Sequence, residues 1–235
     1  MGYSSRLRNY AHVQSIAKET MEFLNDFIRI GVSALEIKIA AEAFMKDKGA
    51  DSFWYHGIGA FVLVGEQTTI SISGKDYQAS NLKVGINDLV TVDLSPEIDG
   101  FWGDLARSFA IQDGVVKDAS QSMFPEVVSG IDMEIELHDN LKQLIGPDTT
   151  FHDVYLSMNS QIYAAEYENL DFKRNMGHSI ARHIDERKYI EFGNNARLSD
   201  IGLFTFEPHI KKKDGKYGFK HENIYYFEHG KLHVL

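Results

Sequence analysis

The sequence predicts an α+β fold built from two halves of similar plan, forming a single domain over residues 1–235. Two observations predict it. Helical patterning over two segments is followed by strand-like runs in residues 9–111, and the same order returns in residues 117–235. Each half carries a strand-rich stretch broken by a turn cluster, Ser95-Pro96-Glu97-Ile98-Asp99-Gly100 in the first and Lys213-Asp214-Gly215 in the second. The helices of the two halves are too unlike for a sequence repeat, so only the order is duplicated.

Taken along the chain, residues 9–30 read as an amphipathic helix with Ile16, Ala17, Met21, Phe23, Leu24 and Phe27 at helical spacing, stopped by Gly31. Ser33 and Glu36 form a capping box for a second helix that runs to about Lys48. Ser52 to Gly65 is aromatic and β-branched, with glycines that break it into strands, and its Trp54-Tyr55-His56 cluster is a candidate pocket lining. Residues 65–85 are polar and poor in strand signal. Residues 89–111 form a ribbon. Past Gly114 the pattern predicts a long or broken helix from about Lys117 to Leu144, stopped by Gly146-Pro147. Asp148, Thr149 and Thr150 cap another, from about Phe151 to Glu168. A second ribbon spans Leu203 to Phe227 around Asp214-Gly215.

Composition narrows the function. The net charge of −10 argues against nucleic acid and anionic membrane as partners. With no cysteine, disulfides, thiol nucleophiles and thiolate zinc sites are excluded. The first residues, Met1 to Arg8, contain no apolar signal core, and no run approaches the roughly 18–20 apolar residues of a membrane span. The expectation is a soluble, cytoplasmic protein, with a homodimer as the commonest assembly.

The ribbons carry the chemistry. A hairpin symmetric about the Ile98–Asp99 bond sets Asp93 directly opposite Asp104, with Cβ atoms about 4.5–5.5 Å apart. Like charges so placed repel, so one is protonated through a raised pKa or a cation lies between them. The alternative is a bulge that slips the register and leaves one Asp in solvent. A hairpin centred on Asp214–Gly215 sets Glu207 opposite Glu222, unless Pro208, which cannot donate to a ladder, shifts it. If the ribbons converge, the carboxylates bring four negative charges into a half-buried site, and two divalent cations neutralise them. A histidine is the usual further ligand. His178, after Gly177 and ahead of a strand-like run, is the best candidate, with His183, His209 and His221 as alternatives.

Asp93 and Asp104 with ten residues between them, Gly177-His178, Thr205-Phe206-Glu207-Pro208, and Glu222 before an aromatic strand together resemble the metallopeptidase family with the pita-bread fold. That family includes methionine aminopeptidase, aminopeptidase P, prolidase and the metal-free creatinase. The resemblance covers nearly the whole chain. It implies pseudo-two-fold helices packed on a curved antiparallel sheet, and two divalent ions drawn from manganese, cobalt, iron or zinc. It further implies that Asp93 chelates one ion and His178 the other, that Asp104 and Glu222 bridge both, and that Glu207 binds beside His178 and shuttles the proton. The implied reaction is hydrolysis of a small peptide or amide by a metal-bridging hydroxide, as in an aminopeptidase or dipeptidase of the Xaa-Pro or methionine type.

The pattern departs from the family around the metal positions. A substrate-facing histidine of the family falls at Ile72 or Ser73, and a second falls at Asp185, with His183 two residues earlier. The glycines that follow the ligand histidine become Ser179 and Ala181. His56 and His183 are the candidates to replace the missing catalytic histidines. These departures keep open a creatinase-like or other metal-dependent reaction on a non-peptide small molecule, and a binding protein that kept the fold without turnover.

Overall fold

The computed structural model describes residues 3–235; Met1 and Gly2, where the reading of the amino terminus begins, lie outside them. Helix α1 (Tyr3–Phe27) buries Tyr10, Val13, Ile16, Ala17, Met21 and Leu24 on one stripe. Helix α2 (Ala34–Asp47) opens on the expected capping box: Glu36 N donates to Ser33 Oγ at 3.2 Å, and Ser33 N donates to Glu36 Oε2 at 2.8 Å. Next come β1 (Ser52–Phe53), β2 (Ala60–Val64), β3 (Asp88–Leu94), β4 (Pro96–Ile98), β5 (Phe101–Trp102), β6 (Leu105–Gln112) and β7 (Val115–Lys117). They form two antiparallel sheets of order β2-β3-β6-β7 and β1-β4-β5.

Two expectations for this half need correction. The first ribbon turns at Asp99–Gly100, one residue later than expected, with φ of 52° and 76°. Both central residues therefore occupy the positive-φ region that a two-residue hairpin loop favours. Ile98 pairs with Phe101, and Asp93 pairs with Ala106 instead of Asp104. Moving the turn by one residue moves every partner by two, which preserves the face. Asp93 and Asp104 stay on the same side. The second correction concerns residues 117–124, which the sequence places in the long helix: they hold no α-helix, only the end of a strand and a single 3-10 turn at Ala119–Gln121. Asp113 and Gly114, at φ 56° and 80°, make another tight turn, and β7 pairs back onto β6.

The second half begins with α3 (Pro125–Leu144), which has proline in its first turn, and α4 (Phe151–Ala164), which is capped by a Thr150–Asp153 box. Helix α4 stops short of Glu168 because Glu166 takes φ 63° and the chain enters β8 (Tyr167–Asn169). A one-turn α5 (Leu198–Ile201) leads to β9 (Leu203–Phe206), β10 (His209–Lys212), β11 (Gly218–Lys220), β12 (Asn223–Glu228) and β13 (Lys231–Val234). Here the expected register holds. His209 pairs with Lys220 and Phe206 with Asn223, so Glu207 and Glu222 sit opposite each other between two ladders of one register.

Each half has its own core. Leu24, Ile37, Val62 and Val92 anchor the first, and Leu137, Phe151, Phe206 and Phe219 the second. The halves meet along β6. Lys220 N donates to Ser108 Oγ at 2.9 Å, Ser108 Oγ donates to Lys220 O at 3.1 Å, and Glu222 N donates to Ala106 O at 3.0 Å. That seam brings the carboxylates of both ribbons to one place. Among the described residues no helix is long and apolar enough to cross a membrane.

Candidate metal centre

His178 is placed by its backbone. Thr205 N donates to His178 O at 2.7 Å, and His178 N donates to Thr205 Oγ1 at 3.1 Å. Gly177, at φ 143°, makes this approach possible, because a Cβ there would stand 2.2 Å from Thr205 O. The ring nitrogen Nδ1 lies 3.0 Å from Ser179 O and donates to it. Nε2 is therefore the free lone pair, and it points at the carboxylates. It lies 3.4 Å from Asp104 Oδ2 and 3.6 Å from Glu207 Oε1. Asp104 is fixed from α1 by the buried amide of Gln14, which donates to Asp104 O and accepts from Asp104 N, both at 2.8 Å.

Two overlapping groups offer ligand atoms within 4.8 Å of one another: Asp104, His178 and Glu222, and Asp93, Glu207 and Glu222. In the first, Asp104 Oδ2 and both carboxylate oxygens of Glu222 are buried without a hydrogen-bond partner. A polar atom left in that state costs about 1–3 kcal/mol, and more when charged. Three oxygens and one imidazole nitrogen are a donor set that divalent cations accept, so these residues fit a metal ion. In the second group, the Lys220 ammonium contacts Asp93 Oδ2 and lies 3.0 Å from Glu207 Oε2.

The electrostatics follow this division. Burial pushes the Asp104 carboxyl well above its usual range, and the charges of Asp93 and Glu207 add to the shift. Glu222 is raised likewise, by burial and then by Asp104, Glu207 and Asp93. Burial raises Asp93 too, against the pull of Lys220. For Glu207, burial opposes the charge, but Lys220 and His178 outweigh it and hold the carboxyl below its usual value. Burial depresses His178 to about 4, leaving the neutral imidazole that a metal requires.

The cluster lies at the base of a cleft of about 380 Å³ that Asp93, Asp104, His178, Glu207 and Lys220 help to line. Trp54, Tyr55 and His56 line it as the sequence suggests, and so do Ile72, Ser73 and Asp185, the positions at which the sequence resemblance leads one to look for histidines. His183 is exposed and is not among the cleft-lining residues; Ile184, Asp185 and Arg187 of the same loop are. His209 lines the cleft with Nε2 2.7 Å from Thr68 O, whereas His221 lies behind it beside His138. The Arg187 guanidinium lies over the rings of Trp54, Tyr55 and Tyr189 at 5.2–5.3 Å.

Sequence reasoning missed Lys220, Gln14 and Arg187. Lys220 was detectable, since it sits two places before Glu222 in a strand-like run and period-two alternation puts both on one face. No local signal marks Gln14 as a partner of Asp104, which is ninety residues away in sequence.

The family model for metallopeptidase family M24 matches residues 8–229. Among curated relatives, the candidate dipeptidase YkvY of Bacillus subtilis (strain 168) is 25% identical over 186 residues, covering 78% of this chain and 46% of the relative. Methionine aminopeptidase A of Synechocystis sp. is 24% identical over 204 residues, covering 84% of this chain and 75% of its own. The chain thus spans about half the length of the first relative and three quarters of the second. An X-Pro aminopeptidase from Thermotoga maritima superposes with a TM-score of 0.80 at 18% identity, over 98% of this chain and 60% of that one. Methionine aminopeptidase from Rickettsia prowazekii superposes with a TM-score of 0.76 at 16% identity, over 100% and 97%. The fold is the pita-bread arrangement that the sequence resemblance implies.

Proposed function

The chain belongs to metallopeptidase family M24, and from that premise we propose that residues 1–235 act as one catalytic unit, a metal-dependent hydrolase of small peptides or amides of the aminopeptidase or dipeptidase kind. The observation that carries this is the set of orphaned, buried oxygens of Asp104 and Glu222 facing the free Nε2 of His178 at the base of a cleft. Asp93, Asp104, His178, Glu207 and Glu222 are the ligands in this reading, with places for up to two divalent ions such as manganese, cobalt, iron or zinc. A bound divalent cation would supply Lewis acidity and an acidified water near neutral pH.

The chain's own residues supply the rest. Glu207, kept ionised by Lys220, accepts a proton from the attacking water and returns it to the leaving amine. Trp54, Tyr55 and Tyr189, stiffened by the Arg187 guanidinium, form a wall that admits a small side chain and limits water. In this reading His56, an exposed residue of the cleft lining, meets the substrate.

A panel of dipeptides led by methionine, proline or an acidic residue, assayed with added manganese, tests this. Hydrolysis of at least one is expected, and Asp104→Ala and Glu207→Ala abolish it. Metal-loaded protein that cleaves none of the panel overturns the peptidase assignment. A second reading, a non-peptide small amide as substrate, is favoured by Ile72, Ser73 and Asp185 lining the cleft in place of the family's histidines.

A further inference from the structure

We propose that Lys220 is a built-in cation that fills the Asp93–Glu207 side of the carboxylate cluster, so that the chain takes one tightly held divalent ion, at Asp104, His178 and Glu222, instead of two. The inference deepens the metal-dependent reading and rests on it.

The cluster is asymmetric. Among the described residues, the buried side-chain oxygens left without a partner belong to Asp104, Glu222 and Glu134, and Glu134 is in neither ligand group. Lys220 already engages one oxygen of each carboxylate on the other side, Asp93 Oδ2 in direct contact and Glu207 Oε2 at 3.0 Å. An ion bound to those oxygens would have to stand where the ammonium stands. Like charges and hard-sphere overlap both forbid sharing the place.

Lys220 is also anchored so that its side chain has one direction to take. Its N–H donates to Ser108 Oγ and its carbonyl accepts from the same hydroxyl, which ties it to β6. On its other edge it pairs with His209 of β10. Strand alternation then points its side chain to the face that carries Glu222. The side chain is only 19% exposed, and Asp93 and Glu207 are its ion-pair partners there. The ammonium thus does for one side what a divalent ion would do for the other: it satisfies paired carboxylates at a half-buried place.

Metal counting on the full-length protein decides the matter. The protein is stripped with chelator, saturated with manganese, freed of excess by gel filtration, and read by elemental analysis and electron paramagnetic resonance. About one ion per chain with an uncoupled manganese signal is expected; two ions that bridge shared carboxylates about 3.5–4 Å apart would give a spin-coupled spectrum. Lys220→Met is expected to bring the count to about two with a coupled signal, and Lys220→Arg, which keeps a cation there, to leave it at one. A wild-type protein with two tightly held, coupled ions overturns the inference even if no variant folds. A wild-type and a Lys220→Met protein that both fold and retain no manganese overturn the metal-dependent reading itself, an outcome distinct from the first.

Discussion

The two sides of the carboxylate cluster use the same residue types and are satisfied in opposite ways. Asp93 and Glu207 share the Lys220 ammonium, whereas Asp104 and Glu222 present three buried oxygens to no donor at all. A paired side is complete as folded; an orphaned side calls for a charge from outside. Glu134 on α3 shows that orphaning alone is not enough. Both of its oxygens are buried and unpartnered, yet it belongs to neither ligand group found among the described residues. What marks a cation site is orphaned oxygens converging with a free imidazole nitrogen.

The largest effect that can break this comparison comes from neutralising one carboxylate on each side. Asp104→Asn is expected to lose the tightly held ion and with it hydrolysis, by about a thousandfold or more. Asp93→Asn is expected to keep the ion and to lose less activity. Metal analysis of the two variants checks this, and equal loss in both would erase the distinction between the sides.

Gly177→Ala should come next. The added Cβ would stand 2.2 Å from Thr205 O at φ 143°, so the segment carrying His178 must move away from β9. About 3 kcal/mol of stability is at stake, roughly 6–12 °C in Tm for a chain of this size, read by thermal denaturation. The strain falls on the His178 side, and Lys220, tied to β6, should keep its contacts.

Glu134 separates burial from metal binding through pH. Burial raises its folded pKa well above the ordinary carboxylate value. The folded chain therefore holds a proton that the unfolded chain releases, and stability is fully present below about pH 4 and is lost as pH rises toward the folded pKa. Glu134→Gln cannot release that proton. Its stability relative to wild type should grow with pH, reaching a gain of about 1–3 kcal/mol by pH 8 in chemical denaturation, with the metal count unchanged. A variant whose advantage shrinks as pH rises would show that Glu134 is ionised and paired.

How far the sequence could reveal this depended on whether the controlling contact was local. The capping box at Ser33 and the cap at Thr150 rest on contacts within four residues and formed as read, the second as a full box with Asp153. The second ribbon was legible because Asp214-Gly215 marked its centre and Pro208, outside the ladders, disturbed nothing. The first ribbon was centred a residue early because its Asp-Gly pair was passed over for the midpoint of a longer turn cluster. Period two forgave the error, since a shift of two keeps the face. Asp113-Gly114 carries the same signal, and missing it starts the helix at about Lys117, the last residue of β7, well before α3 opens at Pro125. His183 was favoured by nearness in sequence to a missing histidine, but the loop exposes it and turns Asp185 and Arg187 to the cleft. Gln14 and Lys220 act across the fold, and only the packed halves bring them to their partners.

The smallest effect is the most discriminating, because Thr205 touches both sides at once. Its hydroxyl accepts from His178 N at 3.1 Å and donates to Glu207 Oε1 at 3.4 Å. Lys220 holds the other Glu207 oxygen at 3.0 Å with a full charge. The shorter, charge-assisted contact should dominate the position of Glu207, leaving Thr205 to matter chiefly for His178. Thr205→Val keeps the shape and removes the hydroxyl, so a loss of about 1 kcal/mol is expected from the unsatisfied His178 N–H, a few degrees in Tm. Manganese affinity should weaken only a few-fold, and kcat of the metal-saturated protein should hardly change. If kcat falls while affinity holds, Thr205 and not Lys220 positions the proton carrier, and the two sides of the cluster work as one.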